Sequence, residues 1–129
     1  MHTEESILTE MRRLGFVLTP LLNVGYHFEY GKHDLFICPD TAQNNILKII
    51  LPISTEVKIN DDMEVYRLVN ETNNIMNLTT ASIVDDDTIW VSYRTFLSGN
   101  EPLGVLLDIA INAVTSTADH IQNGLKSIL

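Results

Sequence analysis

The feature that most constrains this chain is the run ILKIILPI at residues 46–53, which is apolar on both faces of an extended strand apart from Lys48. A strand that alternates has one wet face, whereas one that does not alternate is best placed inside a sheet. The run is also far shorter than the roughly 20 residues that a membrane-crossing helix requires. It therefore predicts a central strand, and the segments on either side must supply its neighbours.

Upstream, in VGYHFEYGKHDLFICPD, Tyr26, Phe28 and Tyr30 alternate with His27 and Glu29. Gly31-Lys32 offers a two-residue turn, and Leu35 and Ile37 resume the pattern. This is a β-hairpin with its aromatic residues on one face. Downstream, TTASIVDDDTIWVSYRTF forms a second hairpin in which Ala81 and Ile83 alternate and Asp85-Asp86-Asp87 turns. Ile89, Val91 and Tyr93 then alternate with Trp90, Ser92 and Arg94.

Three helical patterns frame these strands. The first has Glu4 and Glu5 in its first turn and Ile7, Leu8, Met11 and Leu14 at helical spacing, and it ends near Gly15. Residues 16–20 read as extended or irregular, since Pro20 interrupts any helix. The second starts at Asn60-Asp61-Asp62-Met63-Glu64, where an aspartate or asparagine cap and early acidic residues favour a helix, and runs to about Asn77. Pro102 suits the first turn of the last, which carries Leu107, Ala110, Val114, Ile121 and Leu125 along one stripe and Asp108, Asn112 and Asp119 opposite. With no repeat or linker, residues 1–129 read as one α+β domain, α-β-β-β-α-β-β-α, an antiparallel sheet packed by helices.

Charge narrows the function. Seventeen acidic against eight basic residues give a formal charge of -9, and the basic residues are scattered, so binding to a phosphate backbone is not expected. The opening MHTEESILTEMRRLGF is polar and acidic before its apolar residues begin, the reverse of a signal peptide, and a cytoplasmic location is expected with no membrane partner. The sequons at Asn70 and Asn77 then read as chance matches.

Catalytic patterns are weak throughout. The Gly31-Lys32 turn pairs Tyr30 with His33, which puts His27 and His33 on opposite sheet faces and makes them poor co-ligands. Cys38 reads as a partly buried structural thiol with no histidine placed to activate it. The aspartate run lacks the alternating oxygen ligands of a calcium loop, and no phosphate-binding glycine loop or nucleophile elbow occurs. No catalytic, cofactor or metal residue is assigned, and no enzyme is expected.

Surface for a protein partner remains. The segment LVNETNNIMNL has four asparagines in eleven positions. At about 100° per residue, Asn70, Asn73, Asn74 and Asn77 share the outer side of the second helix, opposite Val65, Leu68, Val69, Thr72, Ile75 and Met76. Most simply they form a solvated face, so that Asn70→Ala with Asn74→Ala leaves folding nearly intact. Alternatively, their amides bond a partner. If Tyr26, Phe28, Leu35, Ile49 and Val91 face the helices, the other sheet face offers Phe36, Ile46, Ile50, Trp90 and Phe96, with Lys48 and Arg94 among them. Exposed, these are the makings of an interaction site.

The hairpin FEYGKHDLFIC, the strand ILKIILPI, the helix VYRLVNETNNIMNL leading into TTASIVDDDTIWVSYRTFL, and the amphipathic last helix together resemble the YbjN-like family, which shares the type III secretion chaperone fold. The resemblance covers nearly the whole chain and includes an Asn-x-x-Asn element, here Asn70 and Asn73. It implies a small, acidic, homodimeric protein that binds another polypeptide or acts in regulation, without catalysis. Phe36, Ile46, Ile50, Trp90, Arg94, Asn70 and Asn74 are the candidate partner-binding residues. The alternative is a small-molecule binder or enzyme with a pocket between the helices and the aromatic strand, where His27, Tyr30 or Arg67 would converge.

Overall fold

The computed structural model describes residues 2–41 and 45–128. The elements run α1 (Glu4–Arg13), β1 (Thr19–Leu21), β2 (Gly25–Tyr30), β3 (His33–Asp40), β4 (Ile46–Ser54), α2 (Met63–Ile75), β5 (Thr80–Asp85), β6 (Thr88–Phe96) and α3 (Leu103–Ile128). The strands form one antiparallel six-stranded sheet in the spatial order β1-β2-β3-β4-β6-β5. The α+β class read from the sequence is the class observed, and β4 lies between β3 and β6 as its apolar run requires. The segment Asp40-Thr41-Ala42-Gln43-Asn44 reads as a loop; Asp40 instead ends β3, and Ala42, Gln43 and Asn44 lie outside the described residues.

Local chemistry sets the boundaries. At the start of α1, Ser6 N donates to Thr3 Oγ1 (3.0 Å) and Thr3 N donates to Ser6 Oγ (2.8 Å), a reciprocal cap that occupies two backbone donors at the helix end. Asp62 caps α2, its Oδ1 accepting from Glu64 N (2.9 Å) and Val65 N (3.3 Å). Between β2 and β3, Gly31 holds φ +59, a left-handed conformation that opens the tight turn and sets the pairing Tyr30↔His33.

Two expectations need correction. Residues 16–20, read as extended or irregular and not counted as a strand, run into the edge strand β1, which pairs with β2 over residues 19–21. All three are exposed, so no alternation marks the strand, and Pro20 is tolerated at an edge where one side of the backbone needs no partner. Further along, α2 stops at Ile75 rather than near Asn77, with Met76 already extended. Ile75, expected on the inner side, is therefore 61% exposed.

One sheet face carries the core. Leu35 and Ile37 on β3, Leu47, Ile49, Leu51 and Ile53 on β4, and Ile89 and Val91 on β6 are buried against all three helices. Ile7 and Met11 come from α1, Val65 and Val69 from α2, and Leu107, Val114 and Ile121 from α3. Phe28 is fully buried, with Phe16 packed edge-on at 5.1 Å between ring centroids. A side chain of that size contributes about 2 to 3 kcal/mol by leaving water.

Candidate functional site

Because the helices all cover one face of the sheet, no element among the described residues covers the opposite face. The register places its side chains in rows. His27 stands opposite Phe36, Phe36 opposite Ile50, and Ile50 opposite Ser92. One row toward the Gly31 turn lie Pro52 and Trp90, paired across β4 and β6; one row the other way lie Cys38, Lys48 and Arg94. Beyond these, Ile46 pairs with Phe96. Five of the residues singled out from the sequence, Phe36, Ile46, Ile50, Trp90 and Arg94, therefore share one contiguous face. Trp90 is 38% and Phe96 77% exposed, while Phe36 and Ile46 are half-buried. Ile50 is only 6% exposed although no helix lies over it, so its neighbours on the face already shield it and it offers less contact area than expected.

Charges on this face are grouped by sign. Lys48 stands directly opposite Arg94, with its Nζ 5.9 Å from the Trp90 ring centroid. Among the described residues neither cation makes an ion pair. Glu29 stands directly opposite Asp34 at the other end of the face. His27 Nε2 lies 2.9 Å from Asp34 Oδ1, and the ligand atoms of His27, Glu29 and Asp34 lie within 4.8 Å of one another. The sequence reading missed this grouping because Asp34 reaches His27 only across the hairpin. Cys38 is half-buried beside Lys48; burial pushes its thiol pKa up, with Lys48 opposing, which leaves it poorly ionised.

Asn70 and Asn74 lie elsewhere. They are exposed on α2, whose buried residues Val65 and Val69 face the inner side of the sheet, so these asparagines point away from the open face. Asn73, expected among the outward amides, has a structural task. Its Nδ2 donates to Ala81 O (3.0 Å) and Ala81 N donates to its Oδ1 (2.7 Å), occupying both backbone groups of that residue on the edge strand β5. That contact joins a helix to a strand eight residues on, which helical spacing alone does not reveal.

The helix–sheet interface has no convergence of His27, Tyr30 and Arg67. Phe28 fills it, His27 is on the bare face, and Tyr30 directs its hydroxyl to Asn112 Oδ1 (3.2 Å). A separate open groove of about 800 Å³ runs beside the second half of α3, lined by Lys32, His33, Thr55, Asp119, Asn123 and Lys126 among others. There His33, buried on the helix-facing side, sits with Nε2 2.9 Å from Asp119 Oδ1, while Lys32 Nζ is 3.8 Å away. His27 and His33 do occupy opposite faces, as the turn predicts.

Three helices on one face of a six-stranded antiparallel sheet, with the second face bare, define a YbjN-like α+β fold. The crystal structure of YbjN from E. coli, described as a candidate transcription regulator, matches with a TM-score of 0.75 at 12% identity, covering 99% of this chain and 94% of that one. An uncharacterized protein from Methanothermobacter thermautotrophicus matches with a TM-score of 0.71 at 15% identity, covering 96% of each chain. Neither is described as an enzyme. No protein-family model and no curated protein matches the sequence. At these identities the likeness is one of fold.

Proposed function

We propose that this chain is a non-enzymatic protein-binding module, chaperone-like or regulatory, homodimeric and cytoplasmic, which docks a polypeptide on the bare face of its sheet. The observation that carries the reading is the aromatic and aliphatic surface of Phe36, Trp90, Ile46 and Phe96, left without a covering element among the described residues while the other face is packed by three helices. Large apolar side chains clustered on an open face gain most when a partner excludes water from them. The formal charge of -9 disfavours nucleic acid as that partner. No described helix is long and apolar enough to cross a membrane. A small-molecule reading would have to use the groove at His33, where two lysines and two carboxylates leave no dominant charge to select a ligand.

A photoreactive amino acid at Phe96, compared with one at the exposed Val105 on α3, tests this in cells. Polypeptide adducts at 96 that are absent at 105 and disappear with Trp90→Asp are the expected result. Equal labelling at both positions, or none at 96, sinks the proposal.

A further inference from the structure

The open face of the sheet is charged at two opposite corners, and we infer that the polypeptide docked there is an extended segment of the pattern basic-x-apolar-x-acidic, in either chain direction. This rests on the docking reading above and names the chemistry of its partner. At one corner Glu29 stands directly opposite Asp34, which sets two like charges against each other across β2 and β3. The lysine closest in sequence, Lys32 in the turn between them, places its Nζ 3.8 Å from Asp119 on the helix-covered side. His27 Nε2, 2.9 Å from Asp34 Oδ1, offsets the acidic pair only in part. Carboxylate oxygens of Glu29 and Asp34 lie within 4.8 Å of each other, close enough for one ammonium or guanidinium to donate to both. At the other corner Lys48 stands opposite Arg94, and among the described residues neither makes an ion pair. Asp40, further along the same face, has a partner of its own.

The corners are too far apart to neutralise each other. The register separates their centres by two strand spacings and four residues along the strands, about 17 Å, against a screening length of roughly 8 Å at physiological salt. A partner that answers both must carry both signs, a cation for the first corner and a carboxylate for the second. A segment of single sign meets one corner and is repelled by the other. In an extended chain, residues two and four apart project to the same side, and four residues span about 14 Å; the reach of the long charged side chains covers the remainder. The residue midway falls over Phe36 and Ile50, which stand opposite each other between the corners. The face is low there, with Ile50 6% exposed and Phe36 half-buried, while Trp90 stands higher to one side. One apolar side chain fits over that stretch, with the indole against its flank. A helix brings residues four apart within about 6 Å, too short to join the corners, so the same pattern wound as a helix does not serve.

Trp90 is the only tryptophan and lies beside the docked segment, so its emission reports the binding of tryptophan-free peptides to the whole chain. A short peptide with the core Lys-Thr-Leu-Thr-Glu is expected to bind at least about tenfold more tightly than peptides with the cores Lys-Thr-Leu-Thr-Lys, Glu-Thr-Leu-Thr-Glu, Lys-Thr-Thr-Thr-Glu or Lys-Leu-Thr-Glu, the last of which turns its charges to opposite sides. Reversing one corner should move the preference. Glu29→Lys with Asp34→Lys should select the peptide with two glutamates, and Lys48→Glu with Arg94→Glu the peptide with two lysines, with circular dichroism unchanged in both. Equal affinity across the panel, or preferences that the reversals do not move, overturns the inference, and so does the absence of any Trp90 response in the wild-type chain. In each of those cases polypeptide adducts at 96 leave the docking reading standing, and no adducts at 96 removes both.

Discussion

The two faces of β4 differ by a single residue of offset and by almost everything else. Leu47, Ile49, Leu51 and Ile53 point into a core closed by three helices, while Ile46, Lys48, Ile50 and Pro52 point to a surface that no helix covers. Both sets are mostly apolar, so hydrophobicity does not separate the packed face from the open one here. The difference lies in completion: the inner face finds its partners within the chain, and the outer face does not.

If that contrast is right, substitutions on the two sides should report through different measurements. The largest effect on folding is expected from Leu51→Ala, which leaves a cavity in a packed core and should lower stability by about 3 kcal/mol in chemical denaturation, with oligomeric state altered only as a consequence. Next comes Asn73→Ala. It strips both hydrogen bonds from Ala81 and should lower stability by about 1 to 2 kcal/mol, whereas Asn70→Ala with Asn74→Ala should change it by less than about 0.5 kcal/mol. A result in which the second pair matches the first would mean that α2 is rotated from the orientation described. On the outer face, Phe96→Ser, at a side chain 77% exposed, should change monomer stability by about 0.5 kcal/mol or less while weakening association, and a large loss of monomer stability would erase the contrast between the faces.

Part of the acid sensitivity, alongside that from Glu10 and Asp85, whose carboxyls are also held below their ordinary pKa, should come from the loop between β6 and α3. There the Ser98 hydroxyl and the backbone amides of Ser98 and Gly99 donate to Glu101, holding its pKa down to about 2. A carboxylate depressed in the folded state favours folding above its unfolded pKa, near 4.5, and that contribution is lost as pH falls from there through 2. Glu101→Gln should flatten the stability profile across that window; an unchanged profile would assign the acid sensitivity to other carboxylates.

Much of this arrangement is legible in the sequence because it is local. The Gly31-Lys32 turn determines the β2–β3 register, alternation along β6 separates Val91 from Trp90, and the unbroken run at 46–53 demands an interior strand. The parts that escape are the ones that depend on distant partners. Lys48 faces Arg94 only once β4 and β6 are neighbours, with α2 and β5 intervening in the chain. Asn73 looks like any exposed amide until β5 returns alongside α2. Edge strand β1, three exposed residues around Pro20, has no pattern to read, and the exposure of Ile75 follows from a helix end that periodicity alone does not mark.

The ends of the sheet also decide how far association can go. On one side the outermost strand is three residues long and contains a proline; on the other, the amide of Asn73 occupies Ala81, and a bulge between Ile83 and Asp85 breaks the ladder. An incoming strand finds little to hydrogen-bond at either margin, so the sheet is poorly suited to growing sideways from molecule to molecule. A chain built this way can carry an apolar face without also offering strand edges along which copies could stack into a fibre.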